Sequence, residues 1–436
     1  MLALATVAAT TARLYSFDDS FREDLDGFID RCIALWETTG THPPQLSVRY
    51  ERSQQRNNER KFDLLIDLVE RQLRGFPDSV LGRDRWRRNI LTSVKQICTA
   101  SLGLPEVYLN ILFSGEYTKV TRDFVHQARQ FDPAIELADL GQAMRNVWVT
   151  NYLQMLLDLK PSLNPAVFAY SMLYPYTDNY LDRPEISPHS KAAFNRRFGL
   201  RLGGAALLPL ERHEKQVFQL IEIIENKYSR SAFPEVYQSL LAIHNGQVRS
   251  LEQQGASCPL DLSRILRISI EKGGASVLAD GYLIDGKLTR AEADFFFGFG
   301  VLLQLQDDLQ DLQQDRCSQR WTIFSRIAEE TRLDAVTSRL CHFMGSVLER
   351  SGRFSDARYA TLKELIGNNC LVLMLQSIAI NSSHYSRDYL RYMESFSPLS
   401  FSYLRKLRPR LEKRHAGVLA SFRRRSSPIS VYDLLG

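Results

Sequence analysis

The sequence predicts an all-α protein, one large helical bundle with the N-terminal third as extra helices packed on it. Three observations predict this. Apolar residues recur at helical spacing along nearly the whole chain of 436 residues. No alternating apolar/polar pattern of the β type persists for several strands. Gly and Pro fall where the helical stripes stop.

The elements follow in order. Phe21, Leu25, Phe28, Cys32 and Leu35 form a stripe that ends before Gly40 and Pro43–Pro44. Phe62, Leu65, Leu68, Val69 and Leu73 form the next, stopped by Gly75 and Pro77. Ile90, Leu91, Val94, Ile97 and Cys98 run toward Gly103 and Pro105. A longer helix is expected over Leu137–Leu159, closed by Pro161, and another over Val167–Asp182, which Pro175 kinks or interrupts and Pro184 ends. Arg183–Arg197 reads as a loop with a short helix. Helices are expected over Glu211–Lys227, Glu235–Gln254 and Leu262–Leu283, with a turn at Gly286. Thr289 with Glu292 is a capping-box pattern that opens the central helix. Thr322–Glu329, Leu333–Ser351, Asp356–Ile380, Ser386–Glu394 and Leu404–Phe422 complete the set. The expected division is 1–136 as an N-terminal helical extension, 137–400 as the main bundle, and 401–436 as a basic helix and tail.

Composition narrows the class. Hydrophobic residues are 44% and charged residues 24%, the balance of an ordinary globular chain. No apolar run is long enough to span a bilayer, and the first residues, MLALATVAATTARLY, lack the basic start of a signal peptide. The six cysteines (Cys32, Cys98, Cys258, Cys317, Cys341 and Cys370) are too scattered for a metal knuckle or redox pair, so reduced thiols in the cytoplasm are expected. The net charge of +5 is uneven. Residues 401–436 carry nine Lys/Arg against two Asp/Glu, net +7, which leaves the first 400 residues near −2. That concentration argues against a nucleic-acid surface across the fold. The tail, with Arg423–Arg425, reads either as solvated or as a peripheral contact with anionic lipid.

The chemistry concentrates in Phe295–Asp315, FFFGFGVLLQLQDDLQDLQQD. On one helix Asp307, Asp311 and Asp315 share a face, with Gln304 one turn earlier. Like charges at that spacing repel, and a partly buried row calls for a cation. Carboxylate oxygens suit Mg²⁺. The alternative is a solvated amphipathic helix, since Leu302, Leu305, Leu309 and Leu312 form an opposite apolar stripe. A second acidic pair, Asp178 and Asp182 in YPYTDNYLDRP, sits at the polar end of an apolar helix. If the two helices face each other, both pairs can hold metal.

Other residues qualify as supports. Lys272-Gly273-Gly274 lies inside a helix, where each Gly costs about 1 kcal/mol against Ala, so the backbone there closely approaches a ligand, or the pair marks a helix kink or tight helix packing. Lys272 can neutralise a phosphate, and Arg320 is either a phosphate grip or a solvated loop residue. Tyr385 and Arg387, beside His384, are weaker phosphate candidates. His213 and His244 read as core or surface residues. The aromatics Tyr170, Tyr174, Tyr176, Tyr180, Phe295, Phe296 and Phe299 flank the acid motifs; most are expected in the core. A subset can line a pocket and stabilise a carbocation.

Together these motifs resemble the isoprenoid synthase superfamily. QLQDDLQD at Gln304–Asp311 is similar to the second aspartate-rich motif of trans-prenyl diphosphate synthases, and TDNYLD at Thr177–Asp182 takes the place of the first, 125 residues before Asp307. The likeness covers roughly Leu137 to Tyr392. Asn179 stands where chain-elongating enzymes carry an Asp, their Gly-Gly-Lys-Arg signature is absent, and no D-x-D-D is present. The pattern is closest to class IB, or large, terpene synthases of bacteria. The resemblance implies a helical bundle around a central apolar cavity and about three Mg²⁺ ions. The ions would lie between Asp178/Asp182 and Asp307/Asp311/Asp315, with Asp308 among the catalytic acids. It implies Lys272, Arg320, Tyr385 and Arg387 on the diphosphate, and Tyr174, Phe296, Phe299 and Gln304 around the cavity. The implied activity is ionisation of a long prenyl diphosphate to an allylic cation that cyclises or eliminates. A homodimer is common in that superfamily. The rivals are a prenyltransferase and a non-catalytic helical interaction protein.

Overall fold

A computed structural model describes residues 17–77, 79–102, 105–183, 185–255, 260–349, 354 and 356–423. Among them the secondary structure is helical and no strand forms; Gln254 and Arg320 make one isolated bridge. In chain order the helices are α1 (Asp19–Thr38), α2 (Arg52–Arg74), α3 (Val80–Leu102), α4 (Glu106–Leu112), α5 (Gly115–Phe131) and α6 (Leu137–Leu156). Then come α7 (Pro165–Asp182), α8 (Pro188–Leu202), α9 (Arg212–Lys227), α10 (Pro234–Ser250), α11 (Leu262–Asp285) and α12 (Arg290–Gln310). The last are α13 (Leu312–Cys317), α14 (Ile323–Ile327), α15 (Asp334–Glu349), α16 (Ala360–Ile380), α17 (Arg387–Glu394) and α18 (Phe401–Arg423). No described helix is long and apolar enough to cross a membrane.

The chain forms two compact units: residues up to His42 with Gln127–Lys363, and Pro43–His126 with the residues from Glu364 onward. This division differs from the expected 1–136, 137–400 and 401–436. Periodicity marks which face of a helix is apolar, not which helix covers it, and α1 finds its cover in the first unit on α11, α12 and α15. Phe28 meets Phe297 at 5.7 Å between ring centroids, and Trp36 meets Phe343 edge-on at 5.7 Å.

The first unit is organised around α11. Seventeen of its 24 residues are buried, so it is enclosed on most sides, by α10, α12, α1, α7 and α6. Asp261 caps its start by accepting from Arg264 N at 2.7 Å. Gly286 ends it at φ 79, with its N–H on Tyr282 O at 2.7 Å. A side chain at Gly286 would also strike the Phe233 ring at 2.6 Å. The expected capping box at Thr289 and Glu292 is present and starts α12: Glu292 N donates to Thr289 Oγ1 at 3.3 Å, and Thr289 N to Glu292 Oε2 at 2.8 Å.

α11 and α12 cross at glycines. A Cβ on Gly300 would stand 2.2 Å from Gly273 O, and one on Gly273 would stand 2.3 Å from Gln304 Cβ. A Cβ on Gly246 of α10 would lie 2.9 Å from Lys272 Cα. Of the two readings of Lys272-Gly273-Gly274, close helix packing is what the structure displays.

In the second unit α2 packs on α3 and α18. Phe76 and Trp86 form its local cluster, edge to face at 4.9 Å, and Trp86 Nε1 donates to Gln72 O at 2.7 Å. The basic C-terminal helix spends part of its charge here. Arg410 pairs with Asp63, and Arg414 pairs with Asp67 and, at 3.1 Å, Glu70. Residues 1–16, Cys258 and Arg424–Arg425 lie outside the described residues, as does the side chain of Arg423.

Pattern reading passed over α4 and α5, although Tyr117, Val120, Phe124 and Ala128 make a legible stripe, all buried. The short helix expected within the Arg183–Arg197 connector is present and longer than expected: it is α8, which runs on to Leu202 and is capped by Ser187 on Ser190 N at 3.1 Å. α7 continues through Pro175 to Asp182.

Candidate functional site

The acid strip does not sit on one continuous helix. α12 stops at Gln310, Asp311 takes non-helical angles as its C-cap, and Asp315 belongs to the short α13. Asp315 is buried. Asp308, rather than Asp311, is the carboxylate whose charge Asp315 feels most.

Asp308 is buried and fixed from two sides: Gln304 Nε2 donates to Oδ1 at 2.7 Å and Ser269 Oγ to Oδ2 at 3.0 Å. Burial pushes its carboxyl up to about 6, with Asp307 adding to the rise and Gln304, Ser269 and Lys272 opposing it. Asp315 is also buried. Burial, then the negative charge of Asp308, pushes it up to about 8, against the pull of Arg320. Asp307 touches solvent, yet burial raises its carboxyl too, while Arg145, Lys272 and Arg320 draw it back. Asp311 is half-buried beside them.

The cations come from three elements. Lys272 stands on α11, one turn from Ser269; Arg145 comes from α6; Arg320 follows α13. Arg320 is not a free loop residue. Its backbone N–H donates to Asp315 O at 2.8 Å, and Trp321 N donates to Gln253 O at 2.7 Å, which ties the segment to the end of α10. Trp321 Nε1 adds a bond to Gly255 O at 2.8 Å.

The first acidic motif borders the same helix. Tyr170 donates its hydroxyl to Ser276 O at 3.2 Å, and its own proton is held well above the usual range by burial, then by the negative charges of Asp280 and Asp178. Ser276 and Lys272 are one turn apart on α11, about 6 Å of rise. On α6 the charge of Arg145 acts on Asp307, while the adjacent Asn146 donates to Asp280 at 2.9 Å and to Ser171 at 3.1 Å. Asp178 is half-buried; the side chain of Asp182 lies outside the described residues. Asn179 faces α6 instead, donating to Asp139 at 2.7 Å and Gln142 at 2.9 Å.

The remaining candidates scatter. Phe296 is fully buried against Phe354 and the Gly281 backbone, and Phe299 stacks on Phe295 in the same packed core. Tyr174 is exposed. Tyr176 and Tyr180 pack with His213, which stacks on Tyr180 at 4.2 Å and bonds Tyr176 O at 2.6 Å. His244 is buried against the edge of Phe198. Tyr385, buried and stacked on Tyr389, and Arg387, exposed at the start of α17, belong to the second unit.

Sequence reading passed over Arg145, Ser269 and Asp280. A lone acid inside the apolar run ASVLADGYLI is a legible signal, because an isolated buried carboxyl is expensive. Asp280 is 1% exposed, accepts from Asn146, and leaves Oδ2 without a partner among the described residues; burial pushes its carboxyl far up.

The donors suit a hard divalent cation: all are carboxylate oxygens, several desolvated and raised by one another. Among the described residues no three acid, His or Cys side chains stand close enough to form a ready-made metal site. No known protein family, curated protein or solved structure matches this chain.

Proposed function

We propose that this protein is a Mg²⁺-dependent class I terpene synthase that ionises a long prenyl diphosphate, diterpene-sized or larger. One observation carries the reading. Asp307, Asp308 and Asp315 are all raised by burial, Asp311 lies half-buried beside them, and the charges of Arg145, Lys272 and Arg320 act on this acid strip. Carboxylates raised by burial and then by one another call for a divalent cation, and cations placed beside them suit an oxyanion that such a metal would bridge.

Asp178, Asp182, Asp307, Asp308, Asp311 and Asp315 are the oxygen donors available to hold Mg²⁺, about three ions by the family resemblance. Bound there, the metal would supply Lewis-acid stabilisation of charge on the leaving group. The chain's own parts divide the remaining work. Lys272, Arg145 and Arg320 receive diphosphate oxygens as fixed cations. Ser269 and Gln304 hold Asp308 in one orientation by two hydrogen bonds. Cleavage of the allylic C–O bond sends the electron pair out with diphosphate. The cation left behind closes a ring or loses a proton, and apolar walls keep water from capturing it.

The test is incubation of purified protein with geranylgeranyl, geranylfarnesyl and longer diphosphates in Mg²⁺. Released diphosphate with a hydrocarbon or alcohol product is expected. No turnover on any of them, while an active control works, refutes the reading. A product that requires isopentenyl diphosphate transfers the reading to a prenyltransferase. One observation favours the non-catalytic alternative, the lack of a ready three-ligand group among the described residues. Silence across the whole panel is its expected result.

A further inference from the structure

The second unit contains a cavity of about 470 Å³ that the acid strip does not explain. It opens among the start of α2, the end of α17 and the start of α18, and its wall presents Arg52, Arg56, Arg391, Arg405, Ser400 and Ser402.

Local sequence builds this wall. The turn between α17 and α18, Ser395-Phe396-Ser397-Pro398-Leu399-Ser400, is clamped by Gln55, a buried amide that donates to Glu394 O at 2.9 Å and Ser397 O at 3.0 Å. Ser397 Oγ closes the turn on Leu399 O at 2.6 Å. Two carboxylates also line the cavity, and both are engaged by backbone. Glu59 Oε1 accepts from Ser400 N at 2.9 Å, and Glu394 Oε1 accepts from Phe401 N at 2.7 Å. They cap the 23-residue helix α18 and point its N-terminus at the cavity.

The arginines are not used up in the same way. Arg391 pairs with Asp388 at 2.6 Å on the open surface, and among the described residues Arg405 reaches only the Ser382 hydroxyl, at 3.3 Å. Among the described residues Arg52 and Arg56 pair with no carboxylate. Leaving out Arg391, which Asp388 pairs, three guanidinium groups stand against two carboxylates, a formal +1 on a concave wall. Concavity focuses that potential. The guanidinium fork fits phosphate oxygens two at a time. The volume falls in the range of small-molecule sites, far above one phosphate.

We propose that this cavity binds an anion carrying two or more phosphate groups, either free in solution or displayed as the headgroup of a phosphorylated lipid. Arg52 and Arg56 supply the main contacts, Arg405 and Arg391 flank them, and Ser400 and Ser402 offer hydroxyl donors. The site stands on the second unit alone and does not depend on the acid strip or on any catalytic activity.

The test titrates full-length protein with tripolyphosphate by calorimetry at low and physiological ionic strength, without Mg²⁺. In parallel it is sedimented with phosphatidylcholine vesicles, with and without a bis-phosphorylated inositol lipid. Wild type is compared with the R52Q/R56Q pair, with R405Q, and with R408Q, whose arginine pairs with Glu412 outside the cavity. Saturable binding that weakens about tenfold or more in R52Q/R56Q and less in R405Q, but is unchanged in R408Q, is expected. Sensitivity of vesicle binding to the same pair assigns the lipid source; sensitivity of tripolyphosphate binding alone assigns the soluble one. Arg52 and Arg56 are exposed, so thermal melts of the pair are expected to match wild type, and R405Q gives an independent reading if they do not. Absence of saturable binding in both arms overturns the proposal, as does equal binding by wild type and every cavity variant.

Discussion

The crossing of α11 and α12 makes a sharp prediction because two glycines on the same helix should respond in opposite directions to the same substitution. In Gly300→Ala the new methyl would lie 2.2 Å from Gly273 O and 3.0 Å from the Gly273 carbonyl carbon. Both are backbone atoms, so no rotamer change relieves the clash and the helices must separate. Overpacking of that kind costs about 3 kcal/mol or more. In Gly298→Ala the methyl first meets Val347 Cγ1 at 3.7 Å, ordinary van der Waals contact. There the higher helix propensity of Ala adds up to about 1 kcal/mol of stability. At roughly 2–4 °C per kcal/mol, thermal unfolding should show Gly300→Ala lower by about 6 °C or more and Gly298→Ala unchanged or slightly higher. The separation would carry into the acid strip, since Gln304 and Asp308 follow Gly300 at successive turns and Ser269 meets Asp308 across the same crossing. Equal effects of the two substitutions, or a stable Gly300→Ala protein, would refute this helix contact and the placement of the acids that rests on it.

Three further outcomes are expected. Asp308 and Asp315 are raised from 3.8 to about 6 and about 8, so each binds a proton more tightly folded than unfolded. Their contribution is complete below about pH 4 and is lost as pH rises to those values, about 3 kcal/mol for Asp308. Urea melts of metal-free protein should weaken from pH 4 to pH 8; Asp315→Asn should flatten that slope, and Mg²⁺ should flatten it in wild type but not in the variant. His244 is lowered from 6.5 to about 4 by burial, so its contribution is complete above 6.5 and fades as pH falls to 4, again by about 3 kcal/mol; His244→Phe should remove that acid-side loss in the same melts. Asn179→Asp would replace the amide donor with a carboxylate facing Asp139 and Gln142, and should destabilise by about 1–3 kcal/mol in thermal melts above pH 6. A variant as stable as wild type would show that Asn179 does not tie α7 to α6.

The helices were legible because their signals are local. A stripe such as Phe21, Phe28, Cys32 and Leu35 needs only the 3.6-residue repeat, and the Thr289–Glu292 box needs only two side chains and their own backbone. The acid strip was legible as well, since Asp307, Asp308, Asp311 and Asp315 are near one another in the chain. Its inner geometry was not. How far Asp308 and Asp315 are buried depends on the helices that cover them, and burial is the largest cause of their raised carboxyls.

By itself, then, the sequence determined an all-helical chain with concentrated acids on Gln304–Asp315 and a glycine pair beside Lys272. Tertiary structure alone decided which helices cover one another, that Gly273 serves the Gly300 crossing, and that Arg145 joins Lys272 and Arg320 near Asp307. It alone raised Asp308 and Asp315 above the ordinary range and drew Arg52, Arg56, Arg391 and Arg405 to one cavity across more than 300 residues of chain. The reason is range. Periodicity and capping act within one or two turns, whereas desolvation, charge proximity and cavity shape arise only when distant segments exclude water from the same place.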